Sequence, residues 1–144
     1  MHRVTSIENV RWHSQPGKVP QWVRILVDGD TIDDIIPISV PEKPTTAVTI
    51  EDGAIDGGGA FVVPGLINLH THLFRKVRAD EAGCAVENPV AWTVRALKNG
   101  RDILAHGVTT VRELGAPQDL DIGLADLQAC EQVTAPRIAA SGRP

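Results

Sequence analysis

Two histidines one residue apart, His70 and His72 around Thr71, close a short apolar run, Leu66-Ile67-Asn68-Leu69. In an extended strand residues i and i+2 point to one face, so both imidazoles can converge on a common point. Neutral imidazole suits zinc and the neighbouring transition metals, and a catalytic zinc uses about three protein ligands plus an open position for water. Two histidines do not complete such a site. Taken alone the pair serves either of two readings, part of a metal centre or two partly exposed, hydrogen-bonded histidines.

The elements that must position the pair follow from punctuation and periodicity. Residues 1–64 read as β-rich, because short β-branched runs alternate with turn signals. Trp22 to Val27 ends at Asp28-Gly29 and Thr31 to Ile36 follows, which predicts a hairpin; Thr46 to Ile50 before Asp52-Gly53 repeats the logic. Pro37, Pro41 and Pro44 predict a loop between the two hairpins, and Asp56-Gly57-Gly58-Gly59 marks the approach to a boundary. From residue 65 the pattern changes to strand, helix, strand, the signature of a parallel sheet. Asn88 as cap, Pro89 in the first turn and Gly107 past the end delimit the helix. On a helical wheel Val90, Trp92, Val94, Ala96, Leu97, Ile103 and Leu104 form one broad arc, with Arg95, Lys98, Asn99 and Asp102 opposite. Val108 to Val111 predicts a second strand, Gln118 to Glu131 a second helix, and Arg137 to Ser141 a third strand.

Composition narrows the functions. A chain of 144 residues with 42% hydrophobic and 22% charged residues can bury a core but is too short for a complete large barrel. Its 14 Lys and Arg against 18 Asp and Glu give a net charge of −4, which excludes nucleic acid and acidic membrane surfaces as expected partners. The start MHRVTSIENVRWHS has no apolar signal region, and the apolar stretch at 60–67 is interrupted by Pro64 and Gly65, so a cytoplasmic protein without a membrane span is expected. Cys84 and Cys130 form no CxxC and read as buried or idle thiols in a reducing compartment.

The segment VVPGLINLHTHL, Val62 to Leu73, resembles the opening strand of the metal-dependent amidohydrolase superfamily, where a PGLID-type segment leads into HxH. GVTTVRELG, Gly107 to Gly115, resembles the second-strand segment, and PRIAASG, Pro136 to Gly142, the third; the last two are most similar to imidazolonepropionase-like and Xaa-Pro dipeptidase-like members. Asn68 stands where the superfamily often has Asp, and Glu113 where the nearest subgroup often has Asp. The hairpins before residue 64 resemble the small β-sandwich domain of these enzymes. The resemblance therefore implies a β-sandwich-type region over 1–64, followed over 65–144 by the first two to three βα units of an incomplete (β/α)8 TIM barrel, the N-terminal portion only.

The resemblance also implies a metal-dependent hydrolase acting on carbon–nitrogen bonds, amide or peptide-like, through a metal-activated water. His70 and His72 would bind the more buried of one or two divalent ions, zinc by preference. The ligands that complete the centre in the superfamily, a carboxylated Lys or a Glu, two His and an Asp, come from later strands, so no catalytic residue is assigned within these residues. Lys76 and Lys98 do not occupy such a strand position and read as solvated surface lysines. Arg112 lies near the same barrel mouth and is the candidate for a substrate carboxylate, with an ion pair to Glu113 or another acid as its alternative. His106 reads as a helix-end residue, and His2 and His13 as surface residues. The implied partner is a small-molecule or dipeptide-like substrate, with a homo-oligomer open. The alternative function is a non-catalytic fragment or an interaction module that needs a partner chain. On either reading, the chain alone is expected to be inactive.

Overall fold

The computed structural model describes residues 5–13, 17–40, 49–51, 53–76 and 88–143. The chain divides into two compact units, Met1–Pro64 and Gly65–Pro144.

In the first unit β1 (Ser6–Trp12), β2 (Gln21–Asp28), β3 (Thr31–Pro37), β4 (Thr49–Glu51), β5 (Ala54–Asp56) and β6 (Phe61–Val62) form one mixed sheet of order β3-β2-β1-β5-β4, with β6 also on β1. Both hairpins are antiparallel: β2 pairs β3 with Asp28 opposite Thr31, and Gly29 takes φ +66° in the turn between them. The expected start of the second hairpin at Thr46 and its Asp52 lie outside the described residues. The described strands of the expected sandwich region belong to one sheet, in which the second hairpin joins the edge of β1 that β2 leaves free. A bulge at Asn9, φ +53°, lets β1 pair β5 before it and β6 after it. Val10, Val23 and Ile25 form the core of this unit, and His13 is exposed and stacks on Phe61.

In the second unit β7 (Leu66–Thr71), β8 (Val108–Glu113) and β9 (Arg137–Ala140) make a parallel sheet of order β7-β8-β9. Helix α1 (Pro89–Ala105) connects β7 to β8, and α2 (Leu120–Ala129) connects β8 to β9. Val111 and Ile138, paired across β8 and β9, pack with Ala96 of α1 and Leu124 of α2, so the core lies between the sheet and the helices. Leu66, Ile67 and Leu69 of β7 stay exposed. Among the described residues no helix is long and apolar enough to cross a membrane.

The helix ends follow their local chemistry. Asn88 Oδ1 accepts the Ala91 N–H at 2.9 Å, Pro89 opens α1, and Gly107 takes φ +85° just past its end. His106 caps α1 and donates from Nδ1 to the Asp102 carbonyl at 2.7 Å. Helix α2 begins two residues later than expected, because Gln118 and Asp119 have φ +58° and +57°. The Asp119 carboxylate there accepts the Nε and Nη2 of Arg143, at 2.9 and 2.7 Å, and ties the β8 and β9 loops together. It ends at Ala129 because Glu131, φ +57°, turns the chain so that the Gln132 N–H reaches the Leu127 carbonyl.

The face of α1 turned to the core differs from the expected arc. Val90 and Val94 are 72% and 61% exposed, whereas Asn99 is only 7% exposed. The packed stripe runs through Trp92, Ala96, Asn99, Gly100 and Ile103, one narrow i, i+4, i+7, i+8, i+11 row.

The junction glycine Gly65 is required by space. A Cβ there would overlap the Thr109 side chain, because the start of β7 lies directly against β8 and the Leu66 N–H donates to the Gly107 carbonyl at 2.9 Å. Gly65→Ala is expected to destabilise the second unit by roughly 1–3 kcal/mol, the usual cost of overpacking. Urea denaturation of the variant checks this; a midpoint equal to that of the parent chain would mean that β7 and β8 move apart freely.

Candidate metal centre

His70 and His72 stand at the C-terminal end of β7, with ring centroids 5.4 Å apart and planes at 78°. His70 is exposed, and its backbone N–H donates to Asn68 Oδ1 at 3.1 Å. His72 is half-buried, and its Nδ1 is a buried atom without a hydrogen-bond partner among the described residues.

The turn after the pair is held from several sides. The Thr71 carbonyl accepts the Leu114 N–H at 3.0 Å. Glu113, fully buried, accepts the Leu73 N–H at 2.8 Å on Oε2, and the Thr71 hydroxyl lies 3.1 Å from the same oxygen and 3.0 Å from the Arg112 carbonyl. One hydroxyl proton serves one of these acceptors at a time. Asn99 donates through Nδ2 to the carbonyls of Leu73 and Arg75, at 2.7 and 3.1 Å, and Arg95 donates to that of Phe74 at 3.1 Å. Leu73 and Phe74 are themselves 3% and 4% exposed.

Two further buried oxygens, Glu113 Oε1 and Asp121 Oδ1, also have no partner among the described residues, although Asp121 Oδ2 accepts the Gly142 N–H at 2.9 Å. Burial holds the Glu113 carboxyl above its ordinary value of 4.5; the Leu73 N–H and Thr71 hydroxyl oppose the shift, Asp121 adds to it and Arg75 opposes it. A carboxyl whose folded value is raised stabilises the fold fully below pH 4.5, and that contribution is lost as pH rises through the folded value. Glu113→Gln cannot ionise and escapes the loss. The stability difference between variant and parent is therefore expected to be flat below pH 4.5 and to move in favour of the variant above it. Chemical denaturation between pH 3.5 and 8 reads this, and parallel curves would contradict it.

Arg112 is exposed and precedes Glu113, which pairs with Thr71 between the two histidines. Among the described residues it has no ion pair with Glu113, since adjacent strand residues point to opposite faces. Lys98 is exposed and pairs with Asp102 at 2.8 Å, and Lys76 is half-buried. Cys130 is exposed rather than buried. Cys84 and His2 lie outside the described residues. A groove of about 670 Å³ beside the turn is lined by Phe74, Arg75, Trp92, Arg95, Ala116 and Arg143 among others; neither histidine lines it.

Asn99 and Glu113 are the residues that sequence reasoning left out of the site. Period-two alternation from Arg112 was a usable signal for Glu113, because it turns that carboxyl away from the arginine. For Asn99 no local signal exists.

Among the described residues no group of three or more His, Cys, Asp and Glu side chains can hold a metal ion. The two neighbouring imidazoles and the unpartnered His72 Nδ1 fit one part of a metal shell, two donors of the usual three or more.

The parallel β/α unit with two histidines at a strand's C-terminal end is defined further by comparison with known proteins. Residues 61–144 match the Amidohydrolase family, and the chain belongs to it. It is 35% identical over 85 residues to an imidazolonepropionase of Haloarcula marismortui, covering 54% of this chain and 18% of that one. A putative prolidase from Bifidobacterium longum superimposes with a TM-score of 0.70 at 28% identity, over 99% of this chain and 31% of its own. A Xaa-Pro dipeptidase with methionine bound in its active site shares the fold, with TM-score 0.75 at 22% identity over 96% of this chain and 33% of its own. The chain thus spans about a third of the solved structures and less than a fifth of the curated relative.

Proposed function

We propose that this chain carries the first part of a metal-dependent hydrolase site for carbon–nitrogen bonds, with His70 and His72 as ligands to a divalent cation, zinc by preference. The observation that carries the reading is the approach of the two imidazoles, ring centroids 5.4 Å apart, at the C-terminal end of the first strand of a parallel β/α unit, the end at which barrel enzymes place their sites. Residues 65–144 are on this reading the opening βα units of a (β/α)8 barrel. The exposure of Leu66, Ile67 and Leu69 supports it, since apolar strand side chains of this kind are normally covered by further structure. Residues 1–64 are on the same reading one layer of the accompanying small β domain.

A bound divalent cation supplies Lewis acidity, lowering the pKa of water and polarising a scissile carbonyl. The chain's own residues do the rest of what can be assigned. His70 and His72 present neutral nitrogens from one strand end, and Asn68 fixes the His70 backbone. Arg112, exposed one residue before Glu113, offers a planar pair of donors to a substrate carboxylate, which suits a dipeptide-like or N-acyl amino acid substrate.

The test is a chimera in which this chain replaces the matching segment of the Bifidobacterium longum prolidase, assayed with zinc or manganese against Xaa-Pro dipeptides, N-acyl amino acids and cyclic amides. Hydrolysis that falls at least about 100-fold on His72→Ala is expected, as for loss of a direct ligand. A folded, zinc-loaded chimera inert towards all three would overturn the reading. The chain by itself, assayed likewise, is expected to show no turnover above a His70→Ala, His72→Ala background, because two of the usual three or more ligands do not complete a centre that activates water.

A further inference from the structure

We propose that Asn99 and Glu113 are positioning residues for His72, holding the turn that carries it; the inference rests on the metal reading above and deepens it. Between Thr71 and Arg75 the chain leaves the sheet, so its backbone groups lose their ladder partners and must find others. Two buried side chains supply three of them, the Leu73 N–H and the Leu73 and Arg75 carbonyls. Glu113 Oε2 takes the Leu73 N–H and lies within reach of the Thr71 hydroxyl, the residues on either side of His72. The Asn99 amide sends its hydrogens to the Leu73 and Arg75 carbonyls, and the Arg75 N–H returns to the carbonyl of His72 itself at 3.2 Å.

A purely packing role does not account for these residue types. A buried carboxylate and a buried amide are costly to desolvate, and apolar side chains of similar size would fill the same space. What a leucine at either position cannot do is bind the Thr71 hydroxyl and the Leu73 and Arg75 backbone groups that flank one imidazole. The clamp reaches the turn from two different elements, β8 and α1, so it sets the direction of the His72 ring relative to His70 independently of β7. Ligand orientation within a few tenths of an ångström is what separates a tight metal site from a loose one, and the groups that orient ligands typically change metal affinity by about 10–100-fold.

The experiment follows zinc binding to the whole chain through the ring-nitrogen resonances of His70 and His72, together with amide hydrogen exchange, at fixed pH. In the parent chain the Leu73 amide is expected to exchange as slowly as the core amides of β8; exchange at the rate of an exposed loop overturns the proposal without any variant. In Asn99→Leu and Glu113→Leu, zinc affinity is expected to fall by about 10–100-fold, with a changed His72 ring signal. Glu113→Gln, which keeps an acceptor for the Leu73 N–H, is expected to stay within about threefold of the parent. Leu124→Ala destabilises the same core away from the turn, and its zinc affinity is expected to be unchanged. Equal losses in Leu124→Ala and Asn99→Leu would assign the effect to general stability and overturn the proposal, as would folded leucine variants of parental affinity. If zinc leaves the ring resonances of the parent chain unmoved, the metal reading itself fails and takes this inference with it. That result is distinct, because parent and variants then behave alike.

Discussion

Replacing His70 and His72 together by alanine is expected to abolish zinc uptake at this strand end, a loss of well over 100-fold. The magnitude follows from comparison: groups that merely orient ligands are worth about 10–100-fold, and here both donors themselves are removed. Either single substitution leaves one imidazole, and because each ligand's contribution relies on the other being in place, the two single losses are expected to be nearly as large as the double one. His70 is exposed and His72 only half-buried, and neither is part of the core between the sheet and the helices, so the variants should keep the parent's denaturation midpoint within about 0.5 kcal/mol. Equilibrium dialysis against zinc, with circular dichroism of the same samples, reads both quantities. Unaltered zinc content in the folded double variant would place the ion elsewhere and remove the basis of the proposed function.

Phe74→Ala is expected to be the most destabilising of these substitutions, at roughly 3–5 kcal/mol. The side chain is 4% exposed and belongs to the cluster of Leu73, Ala96, Val111, Ala116, Leu124 and Ile138. It is also the largest apolar side chain of that cluster, so its truncation leaves the largest cavity, in a unit whose total stability is on the order of 5–15 kcal/mol. The carbonyl of the same residue accepts from Arg95, so the backbone has little freedom to collapse into the space. Phe74→Leu keeps most of the volume and should cost below about 1.5 kcal/mol. Urea denaturation of the two variants gives the comparison, and a difference under 1 kcal/mol between them would show that the turn after His72 repacks readily.

The parts of this chain that could be read before its structure are those written in short-range terms. The β7 strand and the two histidines at its end are one short apolar run closed by His-x-His, and the ends of α1 are marked by Asn88, Pro89 and Gly107, each acting on backbone groups within four residues. The same is true of the Asp28-Gly29 turn. Where a residue's conformation is set from a distance, the local reading went astray. Gln118 and Asp119 sit in a pattern suited to a helix, yet their backbone is left-handed, with Asp119 held by Arg143 from the far side of β9. The second hairpin was readable as a hairpin, but not which edge it would join, since that depends on the unpaired side of β1.

The site divides in the same way. The two imidazoles and the class of chemistry proposed for them were legible in the sequence, because that reading draws on neighbouring residues of one short segment. The tertiary structure alone decided that Asn99, a polar residue on a helix, faces inward, and that Glu113 turns from Arg112 towards Thr71 and Leu73. The reason is one of hydrogen-bond partners: a polar side chain goes where unpaired backbone groups are, and the groups that claim these two are 24 to 42 residues away along the chain, brought alongside only when β7, α1 and β8 have packed.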